Sequence, residues 1–395
     1  MSEQDIKNDL LLDDEEHIID VATSFNCKHQ DEEYNVAYKK WRADGNNSFA
    51  YNYVNDTREH AYLDGRGFIE QSPDAIEKSS LMKNMSIIGT ILVISLLIQT
   101  IGKYLYIYIS KFLGCDVNYD IISGLSNASD GYIILMNYVI QIFGYVFPAI
   151  LLMRFLKLPP VVIFPLKVIN KDMHKIAIPA IMVMFTIGNY GIMLFEKVLG
   201  VMDIKITELT FFLPKTQGLA VLSILLNLVI SPIIIEFCLR GAIMQSLRQF
   251  GDDFALIITS IISALMIHNF TYSLCAFMLS LVIGYFVLRT GSLLTGIVMR
   301  IFFFSASYGV YLVRFLYTED MVNFITSIIF FSFITIGFFI ILMTIRKKRD
   351  FAFLSIQKTY ITTKEKLLYS ISTLPIIVWI MYVFILTLMS MSFKI

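Results

Sequence analysis

Residues 217–243 read QGLAVLSILLNLVISPIIIEFCLRGAI, a run whose only charged side chains are Glu236 and Arg240. About 20 predominantly apolar residues are enough for a helix to cross the hydrocarbon core of a bilayer. Comparable runs lie near residues 86–110, 131–156, 176–199, 254–273, 274–290, 292–315, 322–345 and 367–392. Nine spans are therefore expected. The fifth and sixth, 254–273 and 274–290, abut and form either a tight hairpin or one broken unit. Backbone polar groups in lipid must be paired internally, and runs this long exceed barrel strands, so the segments are helices. The expected fold is all-α, a polytopic transmembrane helix bundle of about eight to nine spans.

Composition agrees with this reading. Of the 395 residues, 56% are hydrophobic and 16% charged, with a mean hydropathy of +0.67. A soluble domain carries about 25% charged residues, so this chain lacks the charge to cover a water-facing surface. Lys and Arg number 32 and Asp and Glu 32, and without a basic excess no nucleic-acid partner is expected. Cys27, Cys115, Cys238 and Cys275 lie far apart with no metal-type spacing, so neither a metal nor another cofactor is expected.

Residues 1–40 hold eleven acidic side chains against four basic ones, and the sequence stays polar to about residue 83. Such a stretch buries too little apolar surface to offset its ordering entropy. Residues 1–83 are thus expected to be an acidic, disordered cytoplasmic tail with one short helix near Asp31–Arg42. The tail's aromatic residues, Tyr34, Trp41, Tyr51, Tyr53 and Tyr62, fit a solvated extension or a segment that folds on a partner. The remainder divides into N-terminal transmembrane helices (84–215), a central core (216–316) and C-terminal transmembrane helices (317–395). Between spans, Arg154, Lys157, Lys167, Lys171, Lys175, Arg240, Arg248, Arg289 and the run Arg346-Lys347-Lys348-Arg349 fall on one side. Asp116, Asp120, Glu196, Asp203, Glu319 and Asp320 fall on the other. The positive-inside rule then puts the N-terminus in the cytoplasm and, for an odd number of spans, the C-terminus outside. The expected setting is the lipid bilayer of a bacterial plasma membrane.

Charged groups at membrane depth are costly and mark structure or function. Lys103, Glu196 and Arg314 lie near span ends, where a long side chain reaches the interface. Glu236, Arg240, His268 and Arg300 lie farther in. Glu236 and Arg240 are four apart and share a helix face, just after the helix-perturbing Pro232. Arg300 needs a buried partner, and Glu236 is the best acidic candidate. Three readings are open: a structural ion-pair network, an acid–base site built on Glu236 and His268, or the pathway of a multispan transporter.

The stretch Ser231-Pro232-Ile233-Ile234-Ile235-Glu236-Phe237-Cys238-Leu239-Arg240-Gly241 resembles the first motif of the CPBP intramembrane proteases, the CAAX-protease and bacteriocin-processing (Abi-type) family. That motif reads small-Pro-x-x-Glu-Glu-x-x-x-Arg-Gly. Ser263-Ala264-Leu265-Met266-Ile267-His268 is similar to the second motif, Phe-x-x-x-His. Gly284-Tyr285-Phe286-Val287-Leu288-Arg289-Thr290-Gly291-Ser292-Leu293 resembles the approach to the third, His-x-x-x-Asn.

In the family, the first glutamate and the first histidine activate water, while the second histidine and the asparagine polarise the scissile carbonyl. By that resemblance the four positions here are Ile235, His268, Arg300 and Phe304, and the motif-two aromatic is Ala264. Only His268 keeps the family's residue. Isoleucine has no proton acceptor, arginine stays protonated, and phenylalanine offers no donor. Glu236 and His268 are the candidate catalytic residues, and Arg240 and Arg300 their polar companions. The resemblance implies a CAAX-protease-like membrane protein with lost or reduced peptidase activity, acting as a binding or regulatory scaffold for a membrane-associated peptide or protein. An active, divergent intramembrane endopeptidase acting on prenylated or precursor peptides is the alternative, and a transporter the second.

Overall fold

The computed structural model describes residues 27, 29–52, 60–63, 67–70, 73–120, 124–206, 211–347 and 359–393. A first helix, α1 (Glu32–Arg42), precedes a short ladder of β1 (His60–Leu63) and β2 (Gly67–Glu70). The helical bundle then begins with α2 (Pro73–Phe112), which leads into a second ladder, β3 (Asn118–Asp120) with β4 (Gly124–Ser126). Next come α3 (Asp130–Leu156), α4 (Lys171–Val201), β5 (Ile204–Ile206) and α5 (Gln217–Phe250). The rest of the bundle is α6 (Asp252–Leu265), α7 (Phe270–Thr290), α8 (Leu293–Leu316), α9 (Glu319–Lys347), α10 (Thr363–Ile371) and α11 (Leu374–Met389). A last strand, β6 (Met391–Phe393), pairs antiparallel with β5.

Seven of these helices are long and apolar enough to cross a membrane, and α10 with α11, bent by 74°, adds an eighth. The all-α membrane bundle is therefore the observed fold. The difference from nine spans lies at residues 254–273. There α6 has 14 residues, about 21 Å at 1.5 Å per residue, which falls short of a hydrocarbon core of about 30 Å. The chain turns at residues 266–269, where His268 adopts a left-handed φ of 52°. The Asn269 side chain then caps α7 by accepting from the backbone N–H groups of Thr271 and Tyr272. The hairpin is thus the alternative realised, with its turn several residues earlier than the sequence division placed it.

Hydrogen bonds fix which ends meet. Ile169 N–H, just before α4, donates to the carbonyl of Thr290 at the end of α7 (3.0 Å). Thr363 at the start of α10 donates to Asp253 at the start of α6 (2.9 Å). The α6–α7 hairpin therefore enters and leaves at one end of the bundle, the end on which α1 docks. The β5–β6 ladder follows the far end of α4, so α1 and β6 sit at opposite ends.

Two proline-bearing spans share a device. Pro148 in α3 and Pro232 in α5 each follow a π-helical turn, Ile142–Val146 and Leu226–Ile230. Proline lacks an N–H and its ring clashes with the carbonyl four residues earlier, and that carbonyl lies inside the widened turn in both cases. A further π-helical stretch, Phe237–Ile243, follows in α5.

The expectation of a disordered tail to residue 83 does not hold for residues 29–52, nor for residues 73–83, which form the first turns of α2; residues 1–26 lie outside those described. Tyr34, Tyr38 and Trp41 recur on one face of α1, stack with ring centroids 5.6 Å apart, and are buried. The sequence does place the helix itself, Glu32–Arg42 behind the Asp31 cap. Trp41 Nε1 (2.8 Å) and Asn47 Nδ2 (2.9 Å) both donate to the carbonyl of Leu156, an end-of-helix acceptor without an intrahelical partner. Tyr34 donates to Gln245 Oε1 (2.7 Å) and accepts from Arg248 Nη1 (2.9 Å), while Tyr51 N–H donates to Gln249 Oε1 (2.9 Å). Burial pushes the Tyr34 and Tyr38 phenols well above the ordinary tyrosine range, so both remain donors. Of the five aromatic residues read from the sequence, Tyr34, Trp41 and Tyr51 are thus buried against the protein's own bundle. Tyr53 lies outside the described residues.

A second polar tie at the same end was not read from the sequence. Lys366 of α10 pairs with Glu77 of α2 (3.3 Å) and donates to the carbonyl of Phe250 (2.5 Å). Glu77 in turn accepts from Ile361 N–H (3.1 Å). Both charges lie outside the apolar runs, where the sequence reading attached no role to them.

If α1 belongs to the folded core, Trp41→Ala lowers stability by about 3–5 kcal/mol, the usual cost of deleting a buried tryptophan. Val36→Ala on the exposed face of the same helix stays within about 0.5 kcal/mol. Unfolding in detergent followed by circular dichroism measures both. Equal, small effects would show that the segment does not contribute to the fold.

Candidate functional site

The site forms where α5, α7 and α8 converge. Glu236 ends the α-helical stretch Ser231–Glu236, and Arg240 lies within the π-helical stretch that follows. Glu236 Oε1 accepts from Arg300 Nε at 2.5 Å and lies 3.5 Å from Arg240 Nη1. Arg240 Nη2 also donates to the carbonyl and the hydroxyl of Ser280 on α7, both at 2.6 Å. Glu236 and Arg240 are 0% exposed and Arg300 is 5% exposed. One carboxylate thus faces two guanidinium groups in a site closed to solvent. Pairing is what makes this tolerable, since an uncompensated buried ion costs several kcal/mol.

Glycines let the helices come this close. A Cβ at Gly296, one turn before Arg300, would lie 2.9 Å from Glu236 Oε2 and 2.7 Å from Val287 Cγ2. A Cβ at Gly284, one turn after Ser280, would lie 2.5 Å from Leu256 Cδ1 on α6 and 3.8 Å from Arg240 Nε. Ser280 and Gly296 were not singled out from sequence, and Gly284 entered only as the start of the stretch that resembles the approach to the third motif. The spacing of Ser280 and Gly284, two small residues four apart in an apolar helix, was the available signal.

The site residues read from sequence separate into two groups. Glu236, Arg240 and Arg300 come together. His268 stays at the turn between α6 and α7, with its Nδ1 buried and, among the described residues, without a hydrogen-bond partner. No hydrogen bond among those residues joins it to Glu236. Ala264 is buried on the last turn of α6, and Ile235 is half-buried against the core. Phe304 is half-buried beside Phe303, with ring centroids 6.4 Å apart. Glu236 Oε2, Arg240 Nε and Arg300 Nη2 also lack hydrogen-bond partners among the described residues.

Residues 217–306 match the family model for type II CAAX prenyl endopeptidases, Rce1-like. The chain carries an Rce1-like domain. The match runs from the start of α5 into α8 and takes in Glu236, Arg240, His268, Arg300 and Phe304. No curated protein and no solved structure matches the chain. Within the matched stretch, the polar contacts among α5, α7 and α8 join a carboxylate to arginines, and no hydrogen bond among the described residues brings His268 to them.

Removing one partner of a buried pair costs more than removing both. Glu236→Gln and Arg300→Met are each expected to destabilise by about 3–5 kcal/mol, and the double variant by clearly less than their sum. Simple additivity in detergent unfolding would remove the pairing. Gly296→Ala, which drives a methyl group toward Glu236 Oε2 and Val287, is expected to cost about 1–3 kcal/mol by overpacking.

Proposed function

We propose that this Rce1-like membrane protein has lost peptidase activity and that its core serves as a binding or regulatory scaffold for a membrane-associated peptide or protein. The observation that carries this reading is the seat of Glu236: the carboxylate shares one oxygen between Arg300 and Arg240 and is closed to solvent. A general base must reach the proton it removes, within about 2.6–3.2 Å or through one water. Glu236 instead serves as counter-ion to two fixed cations. Ile235 and Phe304, at the positions where the family places its glutamate and asparagine, supply neither acceptor nor donor.

The charge balance suits binding rather than water activation. Two guanidinium groups against one carboxylate leave a positive excess, and N–H groups on both arginines lack partners among the described residues. Reached by a segment that parts the helices now closed around them, such donors complement its carbonyl or carboxylate oxygens. The end of the bundle that holds α1 also carries Lys157, Lys167, Lys171, Arg248 and Arg289, which supports a cytoplasmic assignment for it by the positive-inside rule. A bacterial plasma membrane is the setting adopted for this reading.

Two buried atoms favour the second reading, a divergent endopeptidase. His268 Nδ1 and Glu236 Oε2 are both buried without hydrogen-bond partners among the described residues, so each offers a polar atom to a water. Peptide release in lipid nanodiscs separates the two. Wild type and Glu236→Ala/His268→Ala are compared on a prenylated CAAX peptide and a bacteriocin precursor. The scaffold reading expects no release above background from either protein. Release by wild type that is lost in the double variant would establish a rewired active site and end the scaffold reading.

A further inference from the structure

A groove of about 540 Å³ lies between the N-terminal third of α2 and the junction of α10 with α11, away from the Rce1-like core. Its polar lining includes Lys78, Lys83 and Ser86 of α2 and Ser372 and Thr373 before α11, and no carboxylate is among its lining residues. Met82, Leu374 and Pro375 form its apolar part. At the base of the groove the two helices touch backbone to backbone: a Cβ at Gly89 would lie 2.8 Å from the Ile376 nitrogen. Lys78 Nζ sits 4.2 Å from the centroid of the Tyr369 ring, so a cation–π contact holds one ammonium group at the groove wall. Lys83 is exposed.

The position of the groove selects its occupant. On α2 the sequence turns from Lys78 and Lys83 to the apolar run that begins after Asn84. On α11 the apolar run begins at Leu374. α2 therefore changes from polar to apolar within the groove, and α11 begins apolar directly after the polar Ser372 and Thr373, so the groove straddles a polar–apolar boundary. We infer that the groove binds the headgroup of an anionic phospholipid, with the phosphate between Lys78 and Lys83 and the acyl chains along Met82, Leu374 and Pro375. A basic recess between membrane helices is suited to such a headgroup, because each ammonium group near an anionic membrane surface adds attraction that zwitterionic lipid does not return. The N-terminus of α11, which has no side-chain cap, adds its positive dipole end on the same side.

The test uses the full chain in detergent and native mass spectrometry, with phosphatidylglycerol, phosphatidylcholine of identical chains, and glycerol phosphate as probes. Phosphatidylglycerol is expected to be retained and phosphatidylcholine not. Lys78→Gln/Lys83→Gln is expected to weaken retention about tenfold to thirtyfold, as loss of two interfacial ammonium groups implies. Lys78→Arg/Lys83→Arg, and Lys111→Gln at the other end of α2, keep it. Unchanged retention in the Lys78→Gln/Lys83→Gln variant, or equal retention of phosphatidylcholine, would overturn the site. Displacement by glycerol phosphate as effective as by the lipid would show a soluble phosphate ligand and overturn the lipid assignment. The result is independent of whether the Rce1-like core cleaves peptides.

Discussion

Holding Glu236 between Arg240 and Arg300 constrains the position of three helices at once. A carboxylate taken out of water needs its cations within a few ångströms, so α8 must bring Arg300 to α5, and Gly296 is the residue that allows the approach. Arg240 must then be satisfied by something other than Glu236 alone, and Ser280 on α7 gives it two acceptors. Gly284 lets α6 pack against the same helix face. Small residues and charges therefore act together: the charges reward the close approach, and the small residues permit it.

The same helix, α5, is also fixed at its end. Gln245, Arg248, Gln249 and the carbonyl of Phe250 engage Tyr34, Phe49, Tyr51 and Lys366 from α1, the segment after it, and α10. A helix with three proline- or π-related irregularities would otherwise be free to adjust its register, since each wide turn breaks the regular hydrogen-bond ladder. Polar ties at the end and ion pairs in the middle remove that freedom. This explains why a polar N-terminal segment is folded on the bundle: it supplies donors to carbonyls that no helix turn can satisfy, including that of Leu156.

The spans were legible because a lipid-facing helix has little alternative to an apolar run, and Glu236, Arg240 and Arg300 because a charge within such a run stands out against it. Motif order and spacing located the Rce1-like core. What stayed hidden depended on contacts between distant segments. The aromatic face of α1 was present in the sequence as Tyr34, Tyr38 and Trp41, but a composition of acids and amides around it read as solvated chain. The early end of α6 depends on one Asn side chain capping α7 and on a left-handed residue at 268, neither of which interrupts hydropathy. Ser280 was hidden for a different reason: a serine in an apolar helix ordinarily bonds back to its own backbone, and its role appears only once Arg240 faces it.

The side chains at 235, 236, 240, 300 and 304 form a consistent set. With an isoleucine at 235, the carboxylate of this stretch is Glu236, and the arginine at 300 is its close counter-ion. Phe304 offers neither donor nor acceptor and packs beside Phe303. Without Arg300, Glu236 would keep Arg240 alone as its counter-ion; without Glu236, two buried guanidinium groups would lack one. Together the three charges place one carboxylate between two guanidinium groups, and Ser280 is the further acceptor for Arg240. Neither arginine can accept a hydrogen bond, so the core holds more buried donors than acceptors.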